Sequence, residues 1–138
     1  MGEYPTKYHK TFEKDLFAKT SGIKLIDAAP GFAKAEMVIR KNHLNSVAVV
    51  HGGAMFTLAD FTFAVASNTQ GKLALAINAE ISFFKSVKSG VLTAVAKEIS
   101  LHNKLGTYLI EIFNENSELV AHFKGTVYRK NEPMNFNE

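Results

Sequence analysis

A histidine and two glycines, His51-Gly52-Gly53, stand directly before a long apolar run that carries one acid, Asp60. If residues 51–71 form a helix, the N–H groups of Gly52 and Gly53 lack intrahelical acceptors and lie at the positive end of the helix dipole. Having no side chain, both residues also let another group come close. Such donors suit a carbonyl oxygen that gains negative charge. Standing alone, the plainer reading is the stronger one: the glycines merely ease a tight entry into the helix. Asp60 falls about two turns further on. The bland reading has Asp60 capping or paired with a lysine, but a buried, unpaired carboxylate is costly, so Asp60 is expected to face a polar cleft. Thr57, Asp60 and Ser67, at spacings of three and seven, share one helical stripe and supply such a face.

Other residues bound the chemistry. Asn45, six positions before the histidine, either orients a water or caps its own loop. His51 is expected to hold the turn and help position a substrate rather than move a proton. His9, His43, His102 and His122 have no metal-ligand spacing and are expected on the surface or on strands, and no metal site is assigned. With no cysteine, a disulfide, a thiolate nucleophile and Cys-ligated zinc are excluded. Sixteen basic residues against thirteen acidic ones give a net charge of +3. The lysines are spread along the chain, which argues against a nucleic-acid reader and leaves a small polyanionic ligand open. Lys85, Lys88, Lys104, Lys124 and Arg129 fall at strand ends in the second half, with a solvated surface as the alternative for each.

The elements that must position these groups follow from periodicity. Tyr8, Phe12, Leu16 and Phe17 recur at helical spacing and predict an amphipathic N-terminal helix over about 8–20. Residues 23–29 and 32–40 read as strands around a Pro30-Gly31 turn. A loop over 41–50 leads into a helix over 51–71 that is apolar on every face and closes at Gly71. The period then becomes two. Leu75, Ile77, Ala79, Ile81 and Phe83 alternate with Ala76, Asn78, Glu80 and Ser82, predicting a strand with one buried face. Strands over 91–101, 107–114 and 119–129 follow, and 130–138 reads as a polar, frayed tail.

Hydrophobic residues at 46% and charged residues at 21% fit one globular domain over 1–138. No run reaches the roughly 20 apolar residues of a membrane span, and the start of the chain lacks a signal-peptide core. The expected location is the cytoplasm, with no membrane partner. Gly2 and Thr6 fit a loose myristoylation pattern that chance explains better. Strands of about ten residues span about 33 Å and an 18-residue helix about 27 Å. These lengths predict an α+β fold in which one curved antiparallel sheet wraps one long central helix, preceded by the N-terminal helix. A single sheet covers one side of that helix. Its other side calls for a second copy of the chain, an obligate homodimer.

In this element order, Asn45, His51-Gly52-Gly53 and Leu58-Ala59-Asp60 resemble the hotdog-fold thioesterases over roughly 12–129, and within them the phenylacetate-degradation (PaaI-like) acyl-CoA thioesterase group. The resemblance implies hydrolysis of an acyl-CoA by a homodimer or a dimer of dimers, without metal or organic cofactor, coenzyme A entering only as part of the substrate. It assigns the Gly53 N–H as main oxyanion donor with Gly52 beside it, and favours Asn45 as the residue orienting the water. Asp60 becomes general base, or else a nucleophile forming a mixed anhydride. In some relatives a hydroxyl residue on the strand after the helix assists the site; that position reads here as Ala76, leaving Asn78, Thr57 or Ser67 to contact the substrate. Phe56, Phe61, Phe63, Phe83 and Phe84 either line a pocket for an aromatic acyl group or fill the core.

Helix rise adds a constraint. Gly53 and Asp60 are seven residues, or about 10.5 Å, apart along one helix, whereas both must come within about 3 to 3.5 Å of one reacting centre. Two antiparallel helices across a twofold axis satisfy this, Gly53 of one chain meeting Asp60 of the other. The rival reading is a non-catalytic hotdog domain that binds acyl-CoA or lipid as a sensor or scaffold. Such a module has little use for an acid in an apolar helix.

Overall fold

The computed structural model describes residues 6–136. Alternation dictates its sheet. On β1 (Ile23–Ala29) the inward residues are Ile23, Leu25 and, past a register shift, Ala28, and on β2 (Phe32–Val38) every second residue turns inward, with Ala33, Ala35 and Met37 fully buried. The two strands join at Pro30-Gly31, where Gly31 takes a φ of +75°, a value that glycine alone adopts without strain. A single 3-10 turn, Lys41–His43, leads to the central helix α3 (Gly52–Ser67). The chain then runs through β3 (Lys72–Phe83), β4 (Val91–Leu101), β5 (Leu105–Phe113) and β6 (Leu119–Pro133). All pairs are antiparallel, in the order β1-β2-β4-β5-β6-β3.

The helix lies chiefly across β2, β4 and β5. Met55, Leu58, Phe63 and Val65 meet Leu92, Ala94, Ile110, Ile112 and Phe123 in one buried cluster. The small residues of the sheet are where the helix comes close: a Cβ on Gly125 would stand 2.6 Å from the Phe63 ring. This is the α+β hotdog arrangement expected from the sequence, one antiparallel sheet on one central helix. No helix among the described residues is long and apolar enough to cross a membrane.

Four expectations change in detail. The N-terminal helix is two, α1 (His9–Phe12) and α2 (Leu16–Thr20), because Asp15 turns extended and caps α2 by accepting the Ala18 N–H at 3.0 Å. The break rotates the apolar stripe: Ala18 points inward, while Leu16 and Phe17 are 70% and 71% exposed. α3 ends before Gly71, since the Asn68 side chain donates to the Ala64 and Ala74 carbonyls and accepts the Ala74 N–H at 2.9 Å. β3 lacks the predicted buried face; it is an edge strand that α3 touches only in part, Ala74 alone being buried, and Leu75 and Ile77 stay more than half exposed. The tail is not frayed through residue 136. β6 continues to Pro133, paired with Lys72, and the Phe136 ring packs edge-on against Tyr8 at 4.7 Å. Gly2, the glycine of the myristoylation pattern, lies outside the described residues, as do residues 137 and 138.

Candidate active site

The start of α3 is built by His51. Its backbone N–H donates to the His43 carbonyl at 2.7 Å, its carbonyl accepts from Ala54, and its ring folds back so that Nδ1 accepts the Gly53 N–H at 2.8 Å. Two consequences follow. With Nδ1 accepting, the ring proton sits on Nε2, so the outward nitrogen donates and has no lone pair to take a proton. The Gly53 N–H is also already engaged, whereas that of Gly52, the first helical residue, meets no acceptor among the described residues. Of the two glycine N–H groups, that of Gly52 is the one left open in this arrangement. A Cβ at either glycine would crowd a side chain that must then give way: one on Gly53 would stand 2.9 Å from His51 Nδ1, and one on Gly52 would stand 3.1 Å from the Phe83 ring. What approaches the glycines here is the chain's own rings.

His43, expected at the surface, is buried, and its Nδ1 accepts the Arg40 N–H at 2.9 Å while Nε2 lies 2.7 Å from the Ser21 carbonyl oxygen. It supports the carbonyl that holds His51. Asn45 organises the preceding loop through Oδ1, which accepts from Val47 and Val49, and the loop passes through Ala48 at a φ of +63°. The capping alternative for Asn45 thus describes its oxygen, and its NH2 group remains as a donor.

Along α3, Gly53, Thr57, Asp60 and Ala64 form the one stripe that the sheet leaves uncovered, at spacings of four, three and four. Thr57 donates its hydroxyl to the Gly53 carbonyl at 2.8 Å, which leaves its lone pairs outward. Asp60 is exposed, and the described residues offer its carboxylate neither a hydrogen bond nor an ion pair. Partial desolvation, and then the charge of Asp15, raise its pKa above the usual carboxylate value. Ser67 lies in line with this stripe at the last residue of α3 but is covered. It is 1% exposed, because the chain after the helix folds over it, and its hydroxyl donates to Ala64. Asn78 is exposed on β3 opposite Thr126, beside a register shift that also takes in Ala76.

Beside Gly52 opens a groove of about 340 Å³, walled by Val50, Met55, Phe83, Phe84, Lys85 and Ser86. Lys85 pairs with Glu118 at 3.4 Å on its rim. Arg129 is removed from the candidate phosphate ligands: it is buried, and its guanidinium donates to the His102, Asn103 and Gln70 carbonyls. Of the five phenylalanines, Phe63 is core, packed on Phe123 at 5.5 Å, whereas Phe83 and Phe84 are more than half exposed. Asp15 was invisible as a site residue. It is 45 positions from Asp60, and nothing local to either residue signals their meeting. Among the described residues no three His, Asp or Glu side chains are grouped to hold a metal.

A sequence profile described as Thioesterase superfamily matches residues 48–121. Over 122 residues the chain is 47% identical to a protein of Archaeoglobus fulgidus, covering 88% of this chain and 79% of that one. It is 38% identical to the acyl-coenzyme A thioesterase PaaI of Escherichia coli, covering 88% of this chain and 87% of the relative. The solved structure of the E. coli PaaI protein from the phenylacetic acid degradation operon superposes with a TM-score of 0.88 at 35% identity, covering 94% of both chains.

Proposed function

From the premise that the chain belongs to the thioesterase superfamily, we propose that it hydrolyses an acyl-CoA thioester, with a ring-bearing or short to medium acyl group, to a free acid and coenzyme A. The observation that carries this reading is Asp60: a carboxylate with no partner among the described residues and a raised pKa, on an uncovered stripe of a largely buried helix. In the water route, Asp60 takes a proton from water as the water oxygen attacks the thioester carbon. The carbonyl oxygen becomes an oxyanion held by the Gly52 N–H, and Asn45 orients the attacking water. Collapse breaks the C–S bond, and the leaving thiolate takes the proton that Asp60 removed from water, which restores the carboxylate, while the His51 Nε2–H offers the sulfur a hydrogen bond. In the nucleophile route, Asp60 itself attacks the thioester carbon, the C–S bond breaks and the coenzyme A thiolate leaves to be protonated by solvent, and water then cleaves the mixed anhydride to free acid and the Asp60 carboxylate. Thr57 and Asn78 contact the substrate, and Lys85 lies where a phosphate of coenzyme A would need a cation.

Gly52 and Asp60 are eight residues, about 12 Å, apart on one helix. The reading therefore includes a homodimer, itself able to pair into a dimer of dimers, in which each site takes Gly52 from one protomer and Asp60 from the other. The uncovered stripe of α3 and the exposed apolar edge of β3 support such a contact. The cytoplasmic location belongs to the same proposal. The deciding assay is thiol release from a panel of aryl and straight-chain acyl-CoAs, comparing wild type with Asp60→Ala. Release by wild type with a loss of about 10²-fold or more in the variant is expected. Tight acyl-CoA binding with no release from any member would instead favour the sensor or scaffold.

A further inference from the structure

The loop that delivers His51 to the helix is a small closed hairpin. Its two sides meet in register: the His51 N–H donates to the His43 carbonyl at 2.7 Å, Leu44 bridges Val50, and the Asn45 N–H donates to the Val49 carbonyl at 2.8 Å. Asn45 and His51 are therefore carried by one unit, and both depend on how its base at residue 43 is held. The far side of the hairpin is tied to the chain before β4, the Val50 N–H donating to the Val87 carbonyl at 2.8 Å. One such bond leaves a hairpin able to pivot, so a second fixed point is needed.

The His43 ring supplies it. The residue is 5% exposed, and both ring nitrogens are used. Nδ1 accepts the Arg40 N–H at 2.9 Å, which closes the 3-10 turn. An accepting Nδ1 places the ring proton on Nε2, which donates to the Ser21 carbonyl at 2.7 Å, 22 positions earlier in the chain. Ser21 is the C-cap of α2, at the end of a helix where carbonyls lack intrahelical donors. Arg40 reinforces the same junction: its guanidinium donates to the Thr20 carbonyl at 3.4 Å and lies over Gly22, where a Cβ would stand 2.6 Å from it.

Resting on the thioesterase reading, we propose that His43 is a positioning residue for the reaction: its ring is a strut between the end of α2 and the base of the 43–51 hairpin, and it fixes where Asn45, His51 and the Gly52 N–H stand. His43 itself touches no reacting atom. Its effect passes through its carbonyl, which holds the His51 N–H one residue before the open donor. An oxyanion donor is effective only where the oxyanion will form, and a misplacement of about 1 Å costs about 10²-fold in rate. The two ring nitrogens serve different ends, Nδ1 the local turn and Nε2 the distant helix, so they can be removed separately.

The test compares kcat and KM, for the acyl-CoA that wild type cleaves fastest, in His43→Phe, His43→Asn and His43→Gln, with amide exchange at His51 followed alongside. Phe keeps a buried ring and loses both hydrogen bonds. Asn keeps an oxygen for the Arg40 N–H but falls short of Ser21, whereas Gln is long enough to donate to Ser21. The Phe and Asn variants are expected to lose about tenfold or more in kcat with KM within about twofold of wild type, since no substrate contact is removed. Exchange at the His51 N–H speeds up in both, and Gln regains most of kcat and of the protection. Wild-type kcat in folded Phe and Asn variants, or a recovery by Asn equal to that by Gln, overturns the proposal and leaves the thioesterase reading intact. So does a loss that appears in KM instead of kcat. If His43→Phe does not fold, the contrast between Asn and Gln decides alone. A wild type that releases no thiol defeats the underlying reading itself.

Discussion

The two ends of α3 are made of similar polar residues and treated in opposite ways. At the C-terminal end most groups are closed on one another, the buried Tyr108 hydroxyl and Arg129 Nε being the two without a hydrogen-bond partner among the described residues. Asn68 ties the last turn to β3 on both sides of Ala74, Thr69 Oγ1 accepts the Gly31 N–H while donating to Ala66, and Arg129 donates to Gln70 and to the turn after β4. Gln70 in turn donates to Glu98. Tyr108, wholly buried beside this network, has its pKa pushed up to about 12, first by burial and then by Glu98, and stays neutral. At the N-terminal end the Gly52 N–H is open, Gly53 is held by one imidazole nitrogen, and Asp60 has no described partner. Bonded groups make a rigid anchor, and groups left open are those able to bind and react. One helix therefore serves as both, with its fixed end holding its reactive end in place.

The strongest way to break this contrast is to delete the open donor. Proline is compatible with the first turn of a helix and lacks an N–H. Gly52→Pro is expected to lower kcat by about 10²- to 10³-fold, the usual loss for one oxyanion donor, whereas Gly53→Pro, which removes an N–H already taken by His51, loses less. Equal losses would return the role to Gly53. Mixing Gly52→Pro with Asp60→Ala adds a test of the shared site, because only a mixed dimer contains one intact centre; demonstrated mixed dimers with no regained activity would refute it. At the closed end, Asn68→Ala leaves the backbone of Ala74 and the last helical turn unsatisfied. A destabilisation of about 1 to 3 kcal/mol is expected, read as a lower Tm with kcat/KM near wild type at 25 °C. A large loss of kcat at an unchanged Tm would mean that the anchor is part of the chemistry.

What could be read from the chain was what is local. The period of two in β4 to β6, the turn at Pro30-Gly31 and the entry through His51-Gly52-Gly53 all depend on neighbours in sequence, and each appears where expected. Periodicity says that a strand has two faces but not whether anything covers them, so the edge position of β3 and its exposed Leu75 and Ile77 were missed. Helical spacing likewise could not reveal that Asp15 would interrupt the first helix to make a cap. The choice between Gly52 and Gly53 was finer still. It turns on the direction in which one imidazole ring folds, which spacing does not encode.

The same early break offers the smallest and most discriminating effect. Asp60 must be ionised to act as base or nucleophile, and its pKa is raised by desolvation first and by Asp15 second. Activity is therefore expected to fall, as pH is lowered, through a pKa above that of an ordinary carboxylate. Asp15→Asn removes the like charge while keeping a side chain that caps α2 well, so the acid limb moves to lower pH. Salt separates the two causes, since the charge contribution is screened and the desolvation contribution largely is not. At high ionic strength the wild-type limb should approach that of Asp15→Asn, and both should stay above the ordinary carboxylate range. For stability the sign runs the other way: a raised carboxylate pKa contributes stability below the unfolded value of 3.8 and loses it as pH rises through the folded value. Asp60→Asn is accordingly expected to raise Tm at neutral pH while abolishing turnover. A lower Tm would show that the carboxylate holds the fold together, and the open end of α3 would then be an anchor like the other.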